Sequence, residues 1–86
     1  MISKVTRNFW ALYQKLPLKT QALAVEKFRT WRRDPFHLSL HFKQLTGDLW
    51  SVRINLNYRA LARRKGEMIL WFWIGNHADY DRLIGH

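Results

Sequence analysis

The sequence predicts an α+β domain, a two-helix hairpin packed on a twisted, mainly antiparallel sheet of three to four strands. Three features predict it. Apolar residues recur with helical period before Asp34, strict alternation takes over after Trp50, and short turns fold the alternating runs back on one another. The 86 residues are expected to form one domain over 1–86, because a single core needs most of that length. Hydrophobic residues at 48%, with 5 Trp and 5 Phe, supply enough apolar area for that core and exclude a disordered chain.

The helices come first. Phe9, Leu12, Tyr13 and Leu16 follow the i, i+3, i+4, i+7 spacing of one helical face. Pro17, which lacks an N–H and restricts the residue before it, closes that helix. A second helix is expected from about Leu18 to Arg33, with Ala24, Phe28 and Trp31 as its apolar stripe and Leu23 at the edge. Arg29, Arg32 and Arg33 crowd its last turns, where cations favour the negative end of the helix dipole, and Asp34-Pro35 stops it.

The sheet follows. Trp50 to Ile54 alternates apolar and polar residues, as a half-buried strand does. Asn55-Leu56-Asn57 reads as a three-residue hairpin loop in which Asn57 takes positive φ. Tyr58 to Arg64 is the return strand, and Lys65-Gly66 forms a tight turn. Met68 to Ile74 is apolar on both faces and so belongs at the centre of the sheet. Weaker strands are expected around His41–Leu45 and Ile2–Val5.

These loop lengths set a register. Ile54 faces Tyr58, Arg53 faces Arg59 and Val52 faces Ala60 across the first hairpin. Across the second, Arg64 faces Glu67, Ala60 faces Trp71 and Arg59 faces Phe72. One face then carries Trp50, Val52, Ile54, Tyr58, Ala60, Ala62, Ile69, Trp71 and Trp73, which suits the helix stripes. The other carries Ser51, Arg53, Arg59, Leu61, Arg63, Met68, Leu70 and Phe72. A one-residue slip would scramble the sorting, so its cleanness supports the register.

The second face bears on function. The net charge is +9 with a pI near 10.7, which calls for a polyanionic partner. Like charges placed opposite each other destabilise a sheet, yet Arg53 and Arg59 stack with Arg63 nearby, and no acidic residue lies between Asp48 and Glu67. An anion seated there would account for the cluster. There is no cysteine, hence no disulfide and no thiolate metal site. His37 and His41 are four apart but sit in an extended stretch without acidic partners, so no metal or cofactor is expected. The first residues lack an apolar leader, and the run Met68 to Ile74 is too short to cross a bilayer. A cytoplasmic protein with no membrane role is therefore expected.

Four segments carry a resemblance: Phe42-Lys43-Gln44-Leu45-Thr46-Gly47, Leu49-Trp50-Ser51-Val52-Arg53-Ile54, Asn57-Tyr58-Arg59-Ala60-Leu61 and Ile74-Gly75-Asn76-His77-Ala78-Asp79-Tyr80. As a set, following a helix that ends in Asp-Pro, they resemble the RelE/ParE toxin superfamily of type II toxin–antitoxin systems. The resemblance implies two helices on a twisted antiparallel sheet, and a monomeric toxin held with a cognate antitoxin in a hetero-oligomer. It also implies one of two activities. RelE-like members cleave mRNA on the ribosome and arrest translation, whereas ParE-like members poison DNA gyrase without cutting anything themselves. A bare nucleic-acid-binding module is a third expectation, carried by the basic face alone.

Metal-free RNA cleavage needs a base for the 2′-hydroxyl proton, an acid for the leaving 5′-oxygen and cations for the phosphorane. Histidine suits proton transfer near neutrality, and arginine holds phosphate bidentately. The expected catalytic group is His77 as acid or base, Arg59 and Arg53 as phosphate clamps, and Tyr80 as a stacking or proton-transfer residue. Lys43, Arg63, Arg64 and Lys65 are the expected RNA-binding cations. Trp71 and Trp73 are expected in the core, where ring burial alone explains them.

Overall fold

In the computed structural model, which describes residues 1–85, the sequence periodicities resolve into three helices and five strands. They run β1 (Ile2–Val5), α1 (Arg7–Gln14), α2 (Leu18–Arg33), β2 (Lys43–Thr46), β3 (Leu49–Arg53), β4 (Tyr58–Lys65), β5 (Met68–Asn76) and α3 (His77–Ile84). The strands form one sheet in the order β1-β5-β4-β3-β2, antiparallel except where β1 lies parallel to β5. The expected three to four strands are therefore five, because both weak segments pair at the sheet edges. No helix among the described residues is long and apolar enough to cross a membrane.

Local chemistry fixes the helix ends. Thr6 caps α1 by accepting from the Phe9 N–H at 3.1 Å. Pro17 occupies the cap position of α2 with φ −54°, and its carbonyl accepts from the Gln21 N–H at 2.9 Å. Gln21 Nε2 reaches back to the Leu16 carbonyl at 3.0 Å, which closes the turn between the two helices. α1 starts two residues earlier than Phe9 and ends at Gln14, before the predicted Leu16, while α2 covers Leu18–Arg33 as expected.

The first hairpin keeps its predicted register, with Arg53 opposite Arg59 and Val52 opposite Ala60. Its loop differs. Asn57 does not take positive φ; instead Asn55 Oδ1 accepts from the Asn57 and Tyr58 N–H groups at 2.8 and 3.0 Å. An asparagine turn does the work assigned to a left-handed residue.

The second hairpin departs from its predicted register. Its two-residue turn is Gly66-Glu67 rather than Lys65-Gly66, with Gly66 at φ +57°, so Arg64 faces Ile69 and Ala62 faces Trp71. This two-residue shift preserves the faces. A bulge then intervenes, and beyond it Leu61 faces Trp73, Ala60 faces Ile74 and Arg59 faces Gly75. Phe72 is the extra residue, and its carbonyl accepts from Asn8 Nδ2 of α1 at 3.1 Å.

The bulge moves Trp73 off the helix-packed face and puts Ile74 there instead. Ile74 is buried, whereas Trp73 is only half-buried and stands outside the core cluster. All the other predicted helix-facing residues of β3, β4 and β5 pack in or against that cluster. Its centre is aromatic. Trp31 of α2 is 2% exposed and meets Trp71 and Phe42 edge-on, with ring centroids 5.3 and 5.8 Å away. This packing leaves the opposite face of the sheet for α3 and for whatever binds beside it.

Candidate functional site

The opposite face holds a cleft of about 300 Å³ lined by His41, Lys43, Arg53, Arg59, His77, Tyr80 and Asp81. Alternation along the strands dictates its floor. Val52 and Ala60 turn to the helices, so their neighbours Arg53 and Arg59 emerge side by side on the other face. Both stay half-buried. Burial first, and the facing Arg53 second, push the Arg59 guanidinium below the ordinary arginine value, while Tyr80 and Asp81 oppose the shift.

Arg59 is not free to splay. Its Nη1 donates to the Asn55 carbonyl and, at 3.1 Å, to the Tyr58 carbonyl. Its guanidinium carbon lies 5.9 Å from the centre of the Tyr80 ring. Tyr80 itself is 6% exposed and forms the wall behind Arg59.

That wall belongs to α3, an element absent from the predicted helices. Asn76 caps it, its Oδ1 accepting from the Asp79 N–H at 2.8 Å. The cap residue is also the last residue of β5, so His77 opens the helix at the rim of the sheet. The His77 N–H donates to the Asn57 carbonyl at 2.7 Å, tying this helix start to the β3–β4 loop. Helical spacing then brings His77 against Asp81, Nδ1 to Oδ2 at 2.9 Å, and against Tyr80, ring centroids 5.7 Å apart. Asp81 holds the ring by Nδ1 and leaves Nε2 as its uncommitted nitrogen.

A second histidine closes the far side. His41 has φ +46°, the one non-glycine residue in the left-handed region among the described residues. That backbone is uncommon for a residue with a side chain and tends to mark functional positions. Its Nε2 lies 3.3 Å from Arg53 Nη1, which donates to it. The order across the sheet is thus His41, Arg53, Arg59, and then Tyr80 with His77. The sequence weighed His41 only as a zinc ligand, and among the described residues no three His, Cys, Asp or Glu side chains converge to hold a metal. Asp81 was weighed only as an ion-pair partner for the arginines, because its contact with His77 depends on α3.

The fold thus brings together His77, Tyr80, Arg59, Arg53 and Lys43 of the residues singled out above. It does not gather the other three. Arg63 shares the face but pairs with Asp48 at 2.8 Å and lies over Phe72. Arg64 turns to the helix side, its guanidinium carbon 4.8 Å from the Trp50 ring centre. Lys65 is exposed at the hairpin end opposite Met68, about 20 Å along the strand from Arg59.

The fold is shared with the YoeB/ParE toxin from Agrobacterium tumefaciens, at 22% identity and TM-score 0.68 over 90% of this chain and 99% of that one. The RelBE2 toxin–antitoxin complex from Mycobacterium tuberculosis matches at 24% identity and TM-score 0.70, covering 88% of this chain and 96% of that one. The RelB–RelE complex from Methanococcus jannaschii reaches TM-score 0.74 at 14% identity, over 92% and 96% of the two chains. No curated protein matches the chain by sequence. Residues 19–82, from the start of α2 into α3, match the ParE-like toxin domain, and the chain belongs to that family of toxins.

Proposed function

We propose that this toxin is an endoribonuclease that cleaves ribosome-bound mRNA in the cytoplasm and is silenced by a cognate antitoxin. One observation carries the reading: two arginines stand side by side in a cleft with a histidine on either flank. A scissile phosphate fits between Arg53 and Arg59, whose planar forks neutralise the charge gained in the phosphorane. His77, oriented by Asp81, takes the 2′-hydroxyl proton through Nε2. The 2′-oxygen attacks phosphorus, the bond to the 5′-oxygen breaks, and His41, entering the step as the imidazolium with its Nε2 released from Arg53, supplies that oxygen with a proton. Products are a 2′,3′-cyclic phosphate and a 5′-hydroxyl end. Tyr80 backs Arg59, and Lys43 at the cleft edge attracts the flanking phosphate. The antitoxin partner is inferred from the RelB–RelE type complexes that share this fold.

The test is induced expression followed by mapping of mRNA 5′ ends. Wild-type protein generates new ends within coding regions, and His77→Ala lowers their formation by about 100- to 10,000-fold. Growth arrest by His77→Ala at wild-type strength, without new ends, would overturn the reading. That result would favour the gyrase poison, which the match to the ParE-like toxin domain supports and for which His77 is dispensable. DNA-damage signalling on expression would then accompany the arrest.

A further inference from the structure

We propose that Asn55 is a positioning residue that sets Arg59 and His77 in one frame. This rests on the reading of the cleft given above. Arg59 faces Arg53 directly across the strand pair, and two like charges held that close drive each other outward. Nothing in the strand pairing itself keeps a long side chain from turning into water. What restrains it is the loop before it. Arg59 Nη1 donates to the Asn55 and Tyr58 carbonyls, so the guanidinium is folded back over the β3–β4 loop and aimed from there into the cleft.

The loop keeps its shape through the same residue. Asn55 Oδ1 accepts from two consecutive N–H groups, those of Asn57 and Tyr58. The Tyr58 carbonyl in turn accepts from the Ile54 N–H at 3.0 Å, closing the strand ends beneath it. Held this way, the next carbonyl acceptor, that of Asn57, meets the His77 N–H at 2.7 Å and anchors the first turn of α3. One side-chain oxygen therefore fixes both the acceptor that orients the phosphate clamp and the acceptor that seats the proton-transfer helix. Asn55 is only half-buried and does not line the cleft, so it acts through Arg59 and His77 rather than on substrate.

The experiment compares Asn55→Ala with Asn55→Asp, which keeps the Oδ1 acceptor and the turn it makes. Three quantities are read on the purified 86-residue chain: kcat and KM for mRNA cleavage on ribosomes, and the NMR signal of the Arg59 Nε–H group. Asn55→Ala lowers kcat by about tenfold to a hundredfold while KM stays within about twofold, because misaligned groups cost rate more than binding. Its Arg59 signal shifts toward that of a solvated arginine. Asn55→Asp restores most of the kcat and of the Arg59 signal. Loss of kcat in the two variants alike, or a wild-type Arg59 signal in Asn55→Ala, overturns the proposal. Should the wild-type chain cleave no RNA, the ribonuclease reading falls, and the Arg59 signal still decides whether Asn55 holds the guanidinium. Circular dichroism melting identifies any variant that does not fold, in which case Asn55→Ser, a weaker turn former, replaces Asn55→Ala.

Discussion

Gly75→Ala is a small change with a large expected effect. Gly75 lies in β5 opposite Arg59, one residue before the cap of α3, and the Trp73 indole lies across it. A methyl group at Gly75 would come within 2.5 Å of Trp73 Cζ2, 2.8 Å of Cη2 and 3.3 Å of Cε2. To reach ordinary carbon–carbon separation the ring must retreat by about 1 Å. The indole is rigid and half-buried, so it cannot fold its tip aside as a lysine would. Overpacking of this kind costs about 1–3 kcal/mol. In a domain this small, each kcal/mol lowers Tm by about 4–8 °C. Circular dichroism melting reads the loss without depending on tryptophan emission. The decisive comparison is the double variant Gly75→Ala/Trp73→Leu. With the ring gone the methyl has room, so the pair is more stable than the two single losses summed, by about 0.5–3 kcal/mol. A Gly75→Ala protein as stable as wild type, or strictly additive losses, would refute the argument from contact distance.

Two further expectations concern the cleft. Inorganic phosphate raises the Tm of the wild-type protein in proportion to its occupancy, and Arg53→Gln abolishes that rise while leaving the phosphate-free protein at least as stable, since a like-charge repulsion has been removed. An Arg53→Gln protein that still gains stability from phosphate would refute docking between the arginines. Asn76→Ala removes the acceptor for the Asp79 N–H, costs about 0.5–2 kcal/mol, and speeds amide exchange selectively in α3. Uniform exchange across the sheet and α3 would contradict it.

Much of this molecule is legible in its sequence, and the exceptions have causes. The bounds of α2 follow from Pro17 and Asp34-Pro35, two strong local stops. The pairing of Arg53 with Arg59 follows from a short loop and a clean alternation, so the floor of the cleft could be read from neighbouring residues alone. Trp73 defeated the same reasoning. Alternation assigns it to the core, but the register slips at Phe72, whose carbonyl accepts from Asn8, 64 residues away in the chain, and alternation alone does not announce a bulge. His41 and Asp81 were missed as site residues for a similar reason. His41 enters the cleft through a left-handed turn in an irregular connector, and Asp81 joins His77 only once α3 exists. The apolar spacing of α3 is too short to announce a helix, and its cap, Asn76, is recognisable only when β5 is seen to end there.

The parallel pairing of β1 with β5 has a consequence for synthesis. Residues 2–5 hydrogen-bond alongside residues 68–71, so a strand made before α1 and α2 waits for one made well after them. Closing so wide a span is slow compared with forming α1 or α2, which need only near neighbours. His77 and Asp81 are made later still. A nascent chain stopped before Met68 thus carries α1 and α2 with an incomplete sheet, and the cleft is finished only after translation has passed Asp81.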